Sequence, residues 1–338
     1  MKQYIGGFPE LEIFTRSGPG YHAGALALSH ARACLSHVIS CTQMQHAWIP
    51  YYTCNALLEP FEQAGVVCHF YGLTKELALS GAPTQLSQEH YLVYVNYFGL
   101  KNSYIHELLA QYENQLLVDN TQDFFAHGYS KGWSFNSARK SFGVPDGGYL
   151  YGPADQLGRA DQYPVNTDYD ASYLLDRLRG AQQQAYAGFV AYERTLSSRP
   201  LQISAFSASL LSQIDFPTVV AQRRENFKHY HAQLGALNTL PIELNLDEMP
   251  DDTVPFCYPF MPFRGELLDR RMLFEENLFI PTLWPDVLTR QAKGFAWERQ
   301  LTQAVLPLPV DHRYGFAELD KVIAAIRSQL IFLPHALL

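Results

Sequence analysis

The stretch LLVDNTQDFFAHGYSKGWSFNSARKSFGVPDGGY, residues 116–149, decides the fold and carries the candidate chemistry. Its apolar start, 116–118, is typical of a buried parallel strand, and Asp119 follows at the strand end. Open α/β sheets bind ligands beside the carboxyl ends of their strands, so Asp119 is placed to meet one. Lys140 precedes the flexible pair Gly147-Gly148, which permits close backbone approach. An acid that keeps a pyridine nitrogen protonated and a lysine that forms a Schiff base would suit pyridoxal phosphate.

Three motifs in this stretch resemble the DegT/DnrJ/EryC1/StrS family of fold-type-I pyridoxal phosphate enzymes. Asp119-x-x-Gln122 resembles the family's acid-x-x-Gln motif, Ser137-x-x-Lys140 its serine-to-lysine segment, and Gly147-Gly148 its paired glycines. Weaker similarity extends over nearly the whole chain, at 49–53, 95–99 and 305–309. The resemblance implies an aminotransferase that transfers an amino group from glutamate or a similar donor to a nucleotide-linked keto sugar, in polysaccharide or secondary-metabolite biosynthesis.

The resemblance also gives the residues of this stretch their roles. Lys140 would carry the cofactor and move protons in the amino transfer, and Asp119 would pair with the ring nitrogen. Gln122 would lie near the 3-oxygen of the cofactor and Ser137 would bind its phosphate. Further phosphate contacts would come from the start of the first helix, at Ala31 and Arg32.

Other positions depart from the family pattern. Where family members place an aromatic ring over the cofactor, this chain has Cys54, and the expected strand-end histidine is Asn96, next to the cofactor-binding candidate Tyr97. The asparagine that a neighbouring subunit lends to the phosphate has no clear counterpart around residues 199–204. Arg313 and Tyr314, in a loop after the C-terminal strand, are the best placed substrate residues. Other candidate cations for a sugar-nucleotide diphosphate are Arg139, Arg223, Arg224 and Arg264.

Each residue also has an ordinary structural interpretation. Lys140 follows an arginine and could be a surface lysine, with Lys131 as the nearby rival for the Schiff base. Asp119 could cap a turn, and Gln122 could lie on the surface. Arg32, early in a helix, could pair with a nearby acid instead of a phosphate.

Composition limits the classes of function and partner. The chain has 338 residues, 47% hydrophobic, 14% aromatic and only 17% charged, which favours surface covered in a homodimer. Its net charge of −8 argues against nucleic acid and anionic membranes as main partners. No stretch reaches the length of a membrane span, and the N-terminus lacks a signal-peptide pattern, so we expect a cytoplasmic protein. Five cysteines without C-x-x-C pairing indicate reduced thiols and no metal site.

Alternating helical and strand patterns up to about residue 155 predict an α/β fold with a large, mostly parallel (mixed) sheet. The resemblance makes it the seven-stranded type of fold-type-I transferases. We expect a large cofactor-binding domain at 1–195, a long linking helix at 171–196, and a small C-terminal α+β domain at 197–338. A helical pattern at 24–39 is expected to be the first helix of the large domain.

Two classes of function remain open. The first is the aminotransferase, in which Lys140 releases the cofactor to an amino donor and acts as general acid and base. A dehydratase of the same family is disfavoured because such an enzyme is expected to carry histidine in place of Lys140. The second class is a non-catalytic or regulatory descendant that keeps the fold and the cofactor for binding, which the altered stacking and phosphate positions keep open.

Overall fold

The computed structural model describes residues 20–242, 249–262 and 267–332, and its centre is one mixed sheet. Strands β2, β3, β5, β6 and β7 run parallel, while β1, β4 and β8 pair antiparallel with their neighbours. The strand order is β1-β8-β7-β6-β5-β2-β3-β4. The strands span Leu26–Leu28 (β1), His46–Pro50 (β2), Val67–Leu73 (β3), Leu79–Ser80 (β4), His90–Val95 (β5), Leu116–Asn120 (β6), Trp133–Asn136 (β7) and Gly148–Tyr151 (β8).

This architecture confirms the predicted α/β fold with a mostly parallel, mixed sheet. The short strand β4 is an addition to the seven-stranded pattern, at the edge beside β3. Every residue of β6 is buried, as expected for a parallel strand covered on both faces. The carboxyl ends of β2, β5, β6 and β7 therefore share one edge of the sheet, where the candidate residues lie.

Helices cover the sheet and continue into the C-terminal part of the chain. A second, two-stranded antiparallel sheet forms from β9 (Cys257–Phe260) and β10 (Leu306–Pro309). The helices span Ala31–Cys41 (α1), Asn55–Gln63 (α2), Asn102–Tyr112 (α3), Ser172–Leu178 (α4), Gln182–Glu193 (α5), Ala205–Ser212 (α6), Phe216–Leu234 (α7), Arg270–Glu275 (α8), Asp286–Thr289 (α9), Ala296–Ala304 (α10) and Phe316–Phe332 (α11).

Two expected helices differ from the structure. The pattern at 24–39 contains strand β1, because Leu26 and Leu28 are buried in the sheet opposite β8, and the helix begins only at Ala31. The predicted linking helix at 171–196 is a hairpin of α4 and α5. It breaks at Gly180, whose φ of 83° lies in the left-handed region where glycine ends helices. The apolar pattern at 278–281 also predicts a strand, but in the structure these residues form a loop without strand pairing.

Buried side chains form two layers around the sheet and a separate C-terminal cluster. One layer packs α1 and α2 on the sheet. The other layer contains α3 together with Trp284, Val287 and Leu301 from the C-terminal part of the chain. A third cluster joins α7, α11 and the β9–β10 pair. The C-terminal part therefore has its own core and also covers one face of the large sheet, while the division at residues 195–197 stays a prediction.

Candidate functional site

A single threonine links the candidate lysine and acid. Asp119, near the end of β6, is 5% exposed, and its Oδ1 accepts a hydrogen bond from the backbone N–H of Thr121 at 2.8 Å. The hydroxyl of Thr121 accepts from Lys140 Nζ at 2.8 Å. Lys140 itself is exposed, in a short turn after β7. The structure thus brings a buried carboxylate and an accessible amine to one place at the carboxyl edge of the sheet.

Cys54 lies within electrostatic reach of this pair, in the loop between β2 and α2. It comes four residues after the end of β2 and is the N-cap residue of α2. Burial raises the pKa of its thiol, while Lys140 opposes the rise and Asp119 adds to it. The three side chains therefore share one electrostatic environment, and the thiol stays protonated at neutral pH.

Tyr97 and Gln122 support the strand ends. Tyr97 is fully buried, and its hydroxyl donates to the carbonyl of Tyr52 at 3.0 Å. Gln122 is also buried, and its Oε1 accepts from the backbone N–H of Phe98 at 2.8 Å. Phe98 has a φ of 62°, so Gln122 stabilises a turn in the left-handed region directly after β5. The side-chain carbonyl of Gln122 therefore already has a hydrogen-bond donor within the protein.

Asn96, in the position of the family's histidine, belongs to a buried amide network. Its Nδ2 donates to Asn102 Oδ1 at 2.8 Å and to Asn120 Oδ1 at 3.0 Å. Its Oδ1 accepts from the backbone of Lys101 at 3.0 Å. The residue therefore ties the ends of β5 and β6 together.

The two glycines bring the Ser137–Lys140 turn against the start of α1. Gly147 N donates to the carbonyl of Ser29 at 2.5 Å, and the carbonyl of Gly147 accepts from Ala138 at 2.9 Å. A Cβ at Gly148 would lie 2.8 Å from the carbonyl carbon of His30 and 3.0 Å from the nitrogen of Ala31. Only glycine allows this approach, which places the buried Ser137 in the same region as the first turn of α1.

A cavity of about 690 Å³ opens beside the N-terminus of α1. The Oγ of Ser29 and the Nδ1 of His30 are buried here without a hydrogen-bond partner, as is the hydroxyl of Tyr192. Burial, together with Arg139 and Arg32, lowers the pKa of His30 to about 3, so its imidazole is neutral. Arg199 also lines the cavity. Unpaired buried polar atoms beside free helix N–H groups are what an anion-binding site requires.

Most of the candidate arginines already have protein partners. Arg32 donates to Glu59 and to the carbonyl of Leu196, both at 2.8 Å, so it pairs with an acid as its ordinary interpretation allowed. Arg139 forms an ion pair with Glu193, and Arg224 donates to loop carbonyls such as that of Met249. Gln202, in the 199–204 segment where the asparagine of a neighbouring subunit would be expected, donates to the carbonyl of Tyr163 at 2.5 Å. Arg264 lies outside the described residues.

The predicted substrate residues lie around another buried arginine. Arg313 pairs with Asp311 at 2.6 Å, and the carbonyl of Tyr314 accepts from Asn226 at 3.0 Å. Arg223, almost fully buried, lies within electrostatic reach of Asp311 and Arg313. Its NH2 reaches the carbonyl of Ser141, next to Lys140, at 3.4 Å. The structure therefore connects Arg313 to the lysine segment only through other residues.

Sequence reasoning did not assign roles to Thr121 and His30. Thr121 lies inside the acid-x-x-Gln motif, where only the acid and the amide were singled out. His30 lies in the expected phosphate turn, where only Ala31 and Arg32 were singled out, and its unpaired Nδ1 becomes evident only when the fold buries it. The rival Lys131 pairs with Glu113 at 2.5 Å, and both side chains are at least half exposed.

The described part of the chain contains neither a metal centre nor a membrane-spanning helix. Over residues 20–242, 249–262 and 267–332, no three His, Cys, Asp or Glu side chains are arranged to hold a metal ion. Within these same ranges, no helix has both the length and the apolar character of a membrane span. All five cysteines are free thiols.

The fold matches solved aminotransferase structures, whereas no protein-family model and no curated protein sequence matches the chain. The aminotransferase TlmJ from Streptoalloteichus hindustanus superposes with a TM-score of 0.64 at 14% identity, over 91% of this chain and 86% of that one. The sugar aminotransferase CalS13 from Micromonospora echinospora gives 0.58 at 14% identity, over 90% and 87%. A DegT DnrJ EryC1 StrS aminotransferase from Brucella abortus gives 0.57 at 16% identity, over 90% and 85%. The chain therefore has the fold of these enzymes, which confirms the fold expected from the motifs.

Proposed function

We propose that this protein is a pyridoxal phosphate-dependent aminotransferase. The observation that carries the proposal is the connection of Lys140 and Asp119 through Thr121, at the carboxyl edge of the parallel strands. The fold shared with solved aminotransferases supports it. When bound, pyridoxal phosphate supplies an electron-withdrawing ring that stabilises negative charge at the substrate carbon.

The residues present fit the two polar ends of this cofactor. Asp119 would keep the ring nitrogen protonated, because a buried carboxylate favours a positive partner. At the other end, Ser29 Oγ and His30 Nδ1 are unpaired buried atoms that a phosphate would satisfy. Ser137 and the backbone N–H of Ala31 would join them, with the dipole of α1 favouring the negative charge.

Lys140 has the properties of the reacting amine. It is exposed, and its Nζ donates a hydrogen bond to the neutral hydroxyl of Thr121. Within the described part of the chain it forms no ion pair with a carboxylate. After release by an amino donor, the amine would remove a proton from the substrate carbon and return it elsewhere. Thr121 would keep the amine close to Asp119 throughout.

The proposed substrates are an amino donor such as glutamate and a nucleotide-linked keto sugar. The motif resemblance supports this, as does the fold shared with a solved sugar aminotransferase. Arg313 and Tyr314 remain the proposed substrate residues, and Arg313 would have to exchange its contact with Asp311 for a phosphate. We also propose that the enzyme is cytoplasmic.

We also propose a homodimer whose interface includes the α4–α5 hairpin. Leu175, Leu178, Tyr186 and Phe189 on this hairpin are exposed, and Leu178 is 84% exposed. Apolar side chains clustered in this way favour a covered surface. The anion cavity borders α5 and stays open in the single chain, so a second copy would be near enough to complete it.

The test is spectroscopic and uses the whole protein with added pyridoxal phosphate. Binding at Lys140 should give an absorbance band in the near ultraviolet to visible range, and glutamate should shift that band. Apart from the keto acid that glutamate itself yields, which must reverse the half-reaction, a panel of keto-sugar nucleotides and simple 2-keto acids should then restore the band only with sugar acceptors. Restoration by small keto acids alone would remove the sugar proposal, whereas a bound cofactor that ignores every amino donor would favour the non-catalytic alternative.

A further inference from the structure

The loop Tyr51–Asn55 forms one wall of the proposed cofactor crevice. It connects β2 to α2 and carries Cys54, which lies within electrostatic reach of both Lys140 and Asp119. A cysteine is too small to fix the wall by packing as an aromatic ring would. The position of the loop backbone must therefore set the width of the crevice.

Arg290, in the C-terminal part of the chain, donates hydrogen bonds to the backbone of this loop. Its NH1 donates to the carbonyl of Tyr51 at 2.5 Å, and its NH2 donates to the carbonyl of Thr53 at 2.7 Å. Its Nε and NH2 also donate to Asn55 Oδ1, at 3.1 and 2.8 Å. One guanidinium thus binds acceptors on both sides of Cys54.

Arg299 and Phe295 fix the segment from which Arg290 projects. Arg299 NH2 donates to the carbonyl of Arg290 at 2.7 Å and to the hydroxyl of Tyr51 at 2.5 Å. Its NH1 donates to the carbonyl of Val287 at 2.7 Å. Phe295 stacks on Tyr51 with ring centroids 4.0 Å apart and planes at 5°. These contacts hold the segment 287–299, from which the Arg290 side chain projects, against Tyr51.

The hydrogen bonds that Arg290 makes to the loop require a guanidinium group, and a positive charge alone would not form them. Among the residues that the structure describes, Arg290 makes no direct ion pair with a carboxylate, and its hydrogen bonds go to carbonyl and amide oxygens. The nearby Asp286 instead accepts from the backbone N–H of Asn55 at 3.0 Å, at the first turn of α2. The planar fork of arginine reaches three acceptors in fixed directions, which a lysine ammonium on a flexible stem does not reproduce.

We propose that Arg290 is a positioning residue that holds the Cys54 wall of the crevice against the cofactor ring. The inference rests on the proposed function, because it assigns the crevice to that ring. The C-terminal part of the chain, which covers one face of the sheet, would thereby control how tightly the crevice retains its cofactor.

The experiment compares Arg290→Lys with Arg271→Lys in the full chain. Arg271 is a matched control, since it is also in the C-terminal part but pairs with Asp269 at the surface. The first readout is the rate at which iodoacetamide alkylates Cys54, measured by mass spectrometry relative to the exposed Cys41. The second is the dissociation constant of pyridoxal phosphate, from absorbance titration.

We expect Arg290→Lys to raise both the alkylation rate and the dissociation constant about tenfold or more, because it removes charged hydrogen bonds to acceptors on both sides of Cys54. Arg271→Lys should match wild type. Asn55→Ala, which removes one of the three acceptors and keeps both carbonyl contacts, should shift both readouts in the same direction by less. It also serves as the test if Arg290→Lys does not fold.

Three results would overturn the proposal in different ways. Unchanged alkylation of Cys54 would show that Arg290 does not hold the wall. Faster alkylation with unchanged cofactor affinity would make Arg290 purely structural. Wild type that binds no pyridoxal phosphate would defeat the proposed function and the crevice role together, although the alkylation rates would still report whether the wall is held.

Discussion

At the scale of single residues, position beside a strand end decides what the sequence can predict. Asp119 and Lys140 could be predicted as site residues because each lies close to an apolar run in the sequence. A residue that directly follows or precedes a strand in the sequence also lies near the end of that strand in the fold. Thr121, His30 and Arg290 could not be chosen. The roles of His30 and Arg290 depend on neighbours far along the chain, such as Arg139 for His30 and Tyr51 for Arg290. Thr121 lies within the motif, but its contact with Lys140 depends on the turn after β7, and a linear pattern does not contain these contacts.

Asp119→Asn should separate cofactor binding from chemistry. The asparagine Oδ1 can still accept from Thr121 N–H, so the crevice should keep its shape and its cofactor. A neutral amide cannot keep the ring nitrogen protonated, so the half-reaction with glutamate should slow by about 100-fold or more. Stopped-flow absorbance measures the rate.

The surface residue Asp161, which pairs with Arg159, gives the matched control Asp161→Asn. This control should react like wild type. If Asp119→Asn kept the wild-type rate of the half-reaction, Asp119 would have only a structural role.

At the scale of elements, periodicity identifies apolar faces better than it identifies element type. The 24–39 pattern is compatible with a helix, yet Leu26 and Leu28 also alternate, and pairing with β8 makes them a strand. The hairpin of α4 and α5 shows the same limit, because Gly180 interrupts a continuous helical pattern at one position. The parallel strands were easier to predict, since burial on both faces makes them short and almost wholly apolar.

Gly148→Ala should test the contact between the glycine pair and α1. The added methyl would meet backbone atoms of His30 and Ala31 at 2.8 and 3.0 Å, and backbone cannot move aside as a side chain does. We expect the free energy of unfolding to fall by about 1–3 kcal/mol, the usual effect of overpacking. Cofactor affinity should fall as well, because the helix N-terminus would be displaced from Ser137.

Chemical denaturation and cofactor titration measure the two effects of Gly148→Ala. Gly20→Ala is the control, since a Cβ there meets no atom within 4 Å. Stability and affinity equal to those of the control would show that the close approach is not required.

At the scale of the whole molecule, the low charge and high aromatic content predict that part of the surface is covered by another subunit. The structure locates exposed apolar side chains, which composition cannot do, because exposure depends on how α4 and α5 pack on each other. The division into two domains is harder to read from sequence. Trp284 and Val287 belong to the C-terminal part, and both join the core of the large sheet.

The homodimer can be tested by Leu178→Glu, which places a charge on the most exposed of the large apolar side chains in the described part of the chain. If the α4–α5 hairpin is the interface, the dimer should dissociate at micromolar concentration, because an unpaired charge is costly to bury. Sedimentation velocity measures the change. Leu267→Glu, at a residue that is 57% exposed elsewhere, should leave the dimer intact. A wild-type monomer with full cofactor occupancy would contradict the proposal.

The most direct test of the central claim is to reduce the protein with borohydride in the presence of pyridoxal phosphate and to map the modified lysine by mass spectrometry. The account predicts one modified residue, Lys140, in wild type, its loss in Lys140→Ala, and unchanged modification in Lys131→Ala. Equal trapping of the cofactor in Lys140→Ala, or modification at Lys131 in wild type, would contradict it.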